Sequence, residues 1–143
     1  MSINFIKNKK YTIDLLERVS ELFEYKVIFD SNKTEYVVYK SSVINNIEDS
    51  VDDKTAFEAV ENHVHLIDDI KKADYAKLIH LGNQLGKALL NNLTATYPSK
   101  RFVVFVTLTD SMIIRFHQKW ENEPEYFTVD ENSDDVVLRF TNI

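Results

Sequence analysis

The segment Phe102-Val103-Val104-Phe105-Val106-Thr107-Leu108 constrains the fold more than any other part of the chain. Successive side chains of a strand point to opposite faces. Phe102, Val104, Val106 and Leu108 therefore line one face, and Val103, Phe105 and Thr107 the other. Both faces are almost wholly apolar, which places this strand centrally in a sheet covered on both sides. Thr109-Asp110-Ser111 is a turn signal, and Met112 to His117 resumes the β pattern, so the two runs form a hairpin.

The remaining elements arrange themselves around that hairpin. Leu15, Val19 and Leu22 recur at helical spacing, which predicts a helix over Thr12 to Phe23. Tyr25 to Asp30 switches to period two, Ser31-Asn32-Lys33 is a turn, and Glu35 to Lys40 is again β-rich, giving a second hairpin. Asp52 or Asp53 can cap a short helix that runs to Glu61. Asn62 to Ile70 is open between strand and helix. Leu78, Leu81, Leu85, Leu89 and Leu93 form the apolar stripe of a long helix from Asp74 to Tyr97, which Pro98 ends. Val136 to Thr141 reads as a last strand. The order predicts an α+β fold, with a single antiparallel sheet of about five strands, the long helix packed on one face and an N-terminal helix. Residues 1–143 form one domain of ordinary size.

Charge and cysteine content narrow the function classes. The net charge of −6 disfavours nucleic acid, whose phosphates require a basic face, and disfavours anionic membrane surfaces. It suits a basic partner. With no cysteine there is no disulfide framework, thiolate metal site or cysteine nucleophile. No signal peptide or membrane-spanning run is visible, so the expected location is the cytoplasm.

Four groups of residues are candidates for a function. Gly82 and Gly86 stand four apart in the long helix and share a face. They serve tight packing onto the chain's own sheet, or a contact with a second copy in a homodimer. His63 and His65 share a face if they lie in a strand, and with Asp68, Asp69 or His80 they could ligate a metal. Arg115, His117 and Lys119 share one face of the hairpin, with Arg139 beside them if the last strand pairs there, a set able to hold a carboxylate or phosphate. These polar groups define a small-ligand or metal-dependent enzyme as one alternative. Asp110, Ser111 and His117 do not make a triad, because six residues of extended strand span about 20 Å. Nothing calls for a cofactor.

The fourth group is the acidic stretch Glu121 to Asp135, interleaved with aromatics. Trp120, Glu121, Glu123, Glu125, Tyr126, Asp130 and Glu131 are the expected partner-binding residues. Their carboxylates would steer a basic partner, and their rings would anchor it.

Val103-Val104-Phe105-Val106 through Arg115-Phe116-His117-Gln118-Lys119-Trp120-Glu121-Asn122-Glu123-Pro124 resembles the C-terminal part of small immunity-type proteins that accompany bacterial toxins of the polymorphic or contact-dependent kind. The resemblance rests on the Arg-Phe-His run after an apolar hairpin and on the acidic loop behind it. It implies a non-enzymatic protein that blocks one cognate toxin by direct binding. The leading expectation is thus an inhibitor-type binding module with a basic, toxin-like partner. A homo-oligomeric structural protein and the small-ligand enzyme stand as alternatives.

Overall fold

A computed structural model describes residues 13–128 and 135–143. Helix α1 (residues 13–21) leads into strands β1 (Tyr25–Phe29) and β2 (Glu35–Tyr39). Helix α2 (Lys54–Glu61) is followed directly by β3 (His63–Ile67). A 3₁₀ turn, Lys72–Asp74, opens α3 (Tyr75–Thr96), and strands β4 (Phe102–Leu108), β5 (Met112–Gln118) and β6 (Val136–Thr141) complete the order. The open stretch after Asn62 is therefore a strand over its first part.

Local chemistry explains the boundaries. The Asp30 carboxylate accepts from the backbone N–H groups of Asn32 and Thr34, and Lys33 takes a left-handed φ of 62°. Together they close the β1–β2 turn. Asp53 caps α2 by accepting from the Ala56 N–H at 2.9 Å. The α3 helix ends at Tyr97, whose backbone turns away from helical geometry before Pro98.

The α+β class and the long helix are as expected, but the strands form two sheets. β1 and β2 make a two-stranded sheet, and the other four run in the order β3-β5-β4-β6. The reason lies in the last turn of α2 and its cap. Glu58 and Asn62 insert side chains where a neighbouring strand would pair with β2. The Val37 N–H donates to Glu58 Oε2 at 3.0 Å, and the Tyr39 N–H donates to Asn62 Oδ1 at 3.1 Å. Asn62 Nδ2 donates back to the Val37 carbonyl at 2.8 Å. On the other side, the Gln118 N–H of β5 donates to Glu58 Oε1 at 2.8 Å, and the Phe116 N–H to the Asn62 carbonyl. The Glu58 side chain thus bridges the two strand edges, while Asn62 meets β2 with its side chain and β5 with its backbone carbonyl, and together they keep the sheets apart.

The hairpin consequently lies between two cores. Val37 and Tyr39 join the larger one, with Leu89, Leu93, Phe102, Val104, Phe116 and others. Tyr36, Val38 and Ile28 form the smaller one, against Ile44, Ile47, Val51, Phe57 and Trp120. Within the larger core, Gly82 and Gly86 are buried against the four-stranded sheet. A methyl group added at Gly82 would lie 3.0 Å from Leu138, and one added at Gly86 would lie 2.2 Å from the Phe140 ring. The glycine face is therefore filled by the chain's own sheet. Both glycines thus serve the packing of α3 on its own sheet.

All seven residues of β4 are buried, as its two apolar faces require. The α3 helix covers one face. Residues 119–128 contribute to covering the other, where Phe127 sets its ring edge-on to Phe105 at 5.3 Å.

Candidate partner-binding surface

The segment after β5 is anchored residue by residue. The Lys119 N–H donates to the Arg101 carbonyl. Trp120 is half-buried: its indole packs 5.4 Å from the Tyr36 ring and donates to Glu58 Oε1 at 2.7 Å. Glu123 accepts from the N–H groups of Thr55 (2.8 Å) and Lys54 (3.3 Å). It therefore acts as a second cap on α2, from a distant part of the chain. Burial raises the Glu123 carboxyl, but these backbone donors outweigh it and hold the group below the usual range. Glu125 forms a bidentate pair with Arg139, both contacts at 2.6 Å, and the hydrogen bonds to Arg139 hold its carboxyl low.

The basic cluster on the same sheet face fastens this segment down. Last strand β6 pairs with β4, not with β5, so Phe105 separates Arg115 from Arg139 in register. The Arg115 guanidinium lies 4.9 Å from the Tyr126 ring and 5.2 Å from the Phe127 ring, and its Nη1 donates to the Ala59 carbonyl. His117 is fully buried. Its Nδ1 donates to the Gln118 carbonyl at 2.7 Å, and its Nε2 accepts from the Tyr126 N–H at 3.2 Å. That network fixes a neutral tautomer, and burial pushes the imidazole below its ordinary range. With both nitrogens engaged, this ring has no free lone pair to act as a base.

His63 faces Arg115 across the β3–β5 register, and its Nδ1 donates to the Val60 carbonyl. His65 Nδ1 lies 3.2 Å from Asp68 Oδ1, and the Ser111 hydroxyl donates to that same oxygen at 3.0 Å. The carboxylate thus stands between serine and histidine. A nucleophile-base pair would need the histidine in the middle. Among the described residues no three His, Asp or Glu side chains are placed to hold a metal ion.

Of the seven expected binding residues, Glu121 and Tyr126 are exposed. Trp120, Glu123 and Glu125 are committed to the contacts given above, and Asp130 and Glu131 lie outside the described residues. The structure adds a second acidic run to the same end of the molecule. Glu48, Asp49, Asp52 and Asp53 are exposed, on a loop whose Ile44, Ile47 and Val51 pack on the small core that Trp120 also borders. Because Glu123 bonds the first N–H groups of α2, residues 121–123 adjoin Asp52 and Asp53. Tertiary structure alone makes these two runs neighbours, since the contacts that join them span 68 and 69 residues of sequence.

Sequence patterning does not single out Glu58. It is fully buried and joins α2, β2, β5 and Trp120. Its only sequence signal is its place four residues before Asn62, on one face of α2.

No family model, curated protein or solved structure matches the chain.

Proposed function

We propose that the protein is a non-enzymatic binding module of the immunity or inhibitor type, which takes a basic protein partner on an acidic face around Trp120. The observation that carries this reading is that exposed Asp52 and Asp53 adjoin residues 121–123, and that exposed Glu48 and Asp49 lie on the same loop, whose Ile47 and Val51 pack on the small core that Trp120 borders. These carboxylates are exposed, whereas Glu123 and Glu125 are occupied within the chain. The exposed acids therefore supply the steering, and the edge of the Trp120 indole supplies apolar area. The same field would suit a partner whose own working face is basic, such as a nuclease with a cationic active site. The reading places the protein in the cytoplasm. Consistent with it, no helix among the described residues is long and apolar enough to cross a membrane.

The test separates steering from folding. Substituting Glu48, Glu121, Asp49 and Asp52 by Gln or Asn should slow association with the partner by about tenfold or more at low salt, and change dissociation much less. Stopped-flow or surface-based kinetics would measure both. An unchanged association rate would refute the assignment of this face. Asp53 and Glu123 are left intact because they cap α2.

A further inference from the structure

We infer that Glu58 is a proton-operated catch for Trp120: a proton added to its carboxylate releases the indole N–H and loosens the ring from Tyr36 of the β1–β2 hairpin. The geometry carries the inference. Glu58 is fully buried, and each of its oxygens accepts two hydrogen bonds. Oε1 takes the Gln118 N–H at 2.8 Å and the Trp120 indole N–H at 2.7 Å. Oε2 takes the Val37 N–H at 3.0 Å and Gln118 Nε2 at 2.9 Å. Every neighbour is a donor, so a proton on either oxygen must displace one of them.

The partner that yields is Trp120. The Val37 and Gln118 N–H groups are backbone donors fixed in strands. Gln118 Nε2 is held in place by a second bond to the Glu35 carbonyl. The indole alone belongs to a half-buried side chain beyond the end of β5, where water can replace the lost bond. Burial pushes the Glu58 carboxyl up to about 7, against the opposing pull of its donors, so the two forms exchange near neutral pH.

Other groups around the site do not reproduce this behaviour. From β2, the Tyr36 hydroxyl faces the site and donates to Asp30 at 2.8 Å. Burial pushes the Tyr36 phenol up, while the Asp30 hydrogen bonds hold its carboxyl below the ordinary range. At the start of α2, Lys54 stands over the indole at 5.7 Å and Glu123 caps the helix. Lys119 donates to the Glu123 carbonyl. His117 points to the opposite face of β5. Among the described residues no cation pairs with Glu58.

The chain has a single tryptophan, which makes the test direct. In ¹⁵N-labelled protein, the one indole N–H resonance is followed from pH 8.5 to 5 while the backbone amide spectrum reports folding. The expected result is a shift of that resonance with one midpoint near neutrality, accompanied by a red shift in tryptophan emission. Glu123→Gln and His117→Gln should keep the transition, and a folded Glu58→Gln should lose it. An indole resonance that stays in place in the folded protein down to pH 5 overturns the inference. So does a transition that disappears in Glu123→Gln or His117→Gln, or one that survives in Glu58→Gln. Should Glu58→Gln fail to fold, the wild-type titration and the other two variants decide.

Discussion

Replacing Glu58 by Ala should lower the unfolding free energy by about 3–6 kcal/mol, as measured by denaturant titration at pH 7.5. The substitution strands the N–H groups of Val37 and Gln118, both buried. Each buried donor left unpaired costs about 1–3 kcal/mol. A cavity adds to this, and the sheets lose the group that joins them. One opposing effect has to be weighed. Because the folded carboxyl ionises at about 7 instead of 4.5, folding carries a penalty above that pH of about 3 kcal/mol, which alanine removes. The sign follows from proton binding. Between these two values the folded state holds the proton and the unfolded state does not, so the Glu58 contribution weakens as pH rises. The loss on substitution should therefore be larger at pH 5 than at pH 8. Neighbouring Glu61 is less buried and, among the described residues, accepts only from the Ser42 hydroxyl, so Glu61→Ala should cost less than about 1 kcal/mol. If Glu58→Ala were as mild as Glu61→Ala, the joining role of Glu58 would be wrong.

Gly86→Ala should destabilise the protein by about 1–3 kcal/mol, even though alanine favours a helix over glycine by about 1 kcal/mol. The new methyl group would lie 2.2–2.8 Å from three atoms of the Phe140 ring, so α3 or the ring must move. Gly82→Ala provides the contrast. Its methyl group would approach Leu138 and Val106 at 3.0 and 3.1 Å, contacts that small side-chain adjustments relieve. There the gain in helix propensity should roughly offset the crowding, to within about 1 kcal/mol. Adding Phe140→Leu to Gly86→Ala should recover part of the loss, and a double-mutant cycle would read that coupling directly. Additive effects would mean that the ring is not what the methyl group meets. These results would also separate packing from self-association, since a packing role predicts that neither variant changes the oligomeric state.

The parts of the fold legible in the sequence are those that alternation and helical spacing determine. β4, β5, β6 and the β1–β2 hairpin follow from period-two runs between turn residues, and α3 from its leucines. The division into two sheets was not legible, because backbone alternation in Tyr25 to Lys40 is the same whether its neighbour is a strand or a pair of side chains. Glu58 and Asn62 settle that question through contacts with residues 21 or more positions away. The strand His63–Ile67 was equally open, being only five residues long and joined to α2 without a break.

The candidate surface divides in the same way. Acidity and aromatic content mark residues 120–127 at once. Composition does not tell a steering carboxylate from a capping one, and Glu123 and Glu125 have the look of Glu121 until Thr55, Lys54 and Arg139 are placed beside them. Nor does it reveal that Glu48 to Asp53 belong to the same end. Arg115 and His117 invited an anion-site reading, yet their stacking and hydrogen bonds hold Tyr126 and Phe127 over the sheet.

The proposed basic partner would sit on the acidic face around Trp120. The most direct measurement is capture of the tagged chain from its host at low and moderate salt, followed by carboxylate-to-lysine cross-linking and mass spectrometry of the contact. One basic protein is expected to co-purify, to dissociate as salt rises and to cross-link to Glu48, Asp49, Asp52 or Glu121. A partner cross-linked only outside residues 48–53 and 119–123, or a self-associated species with no partner, would contradict it.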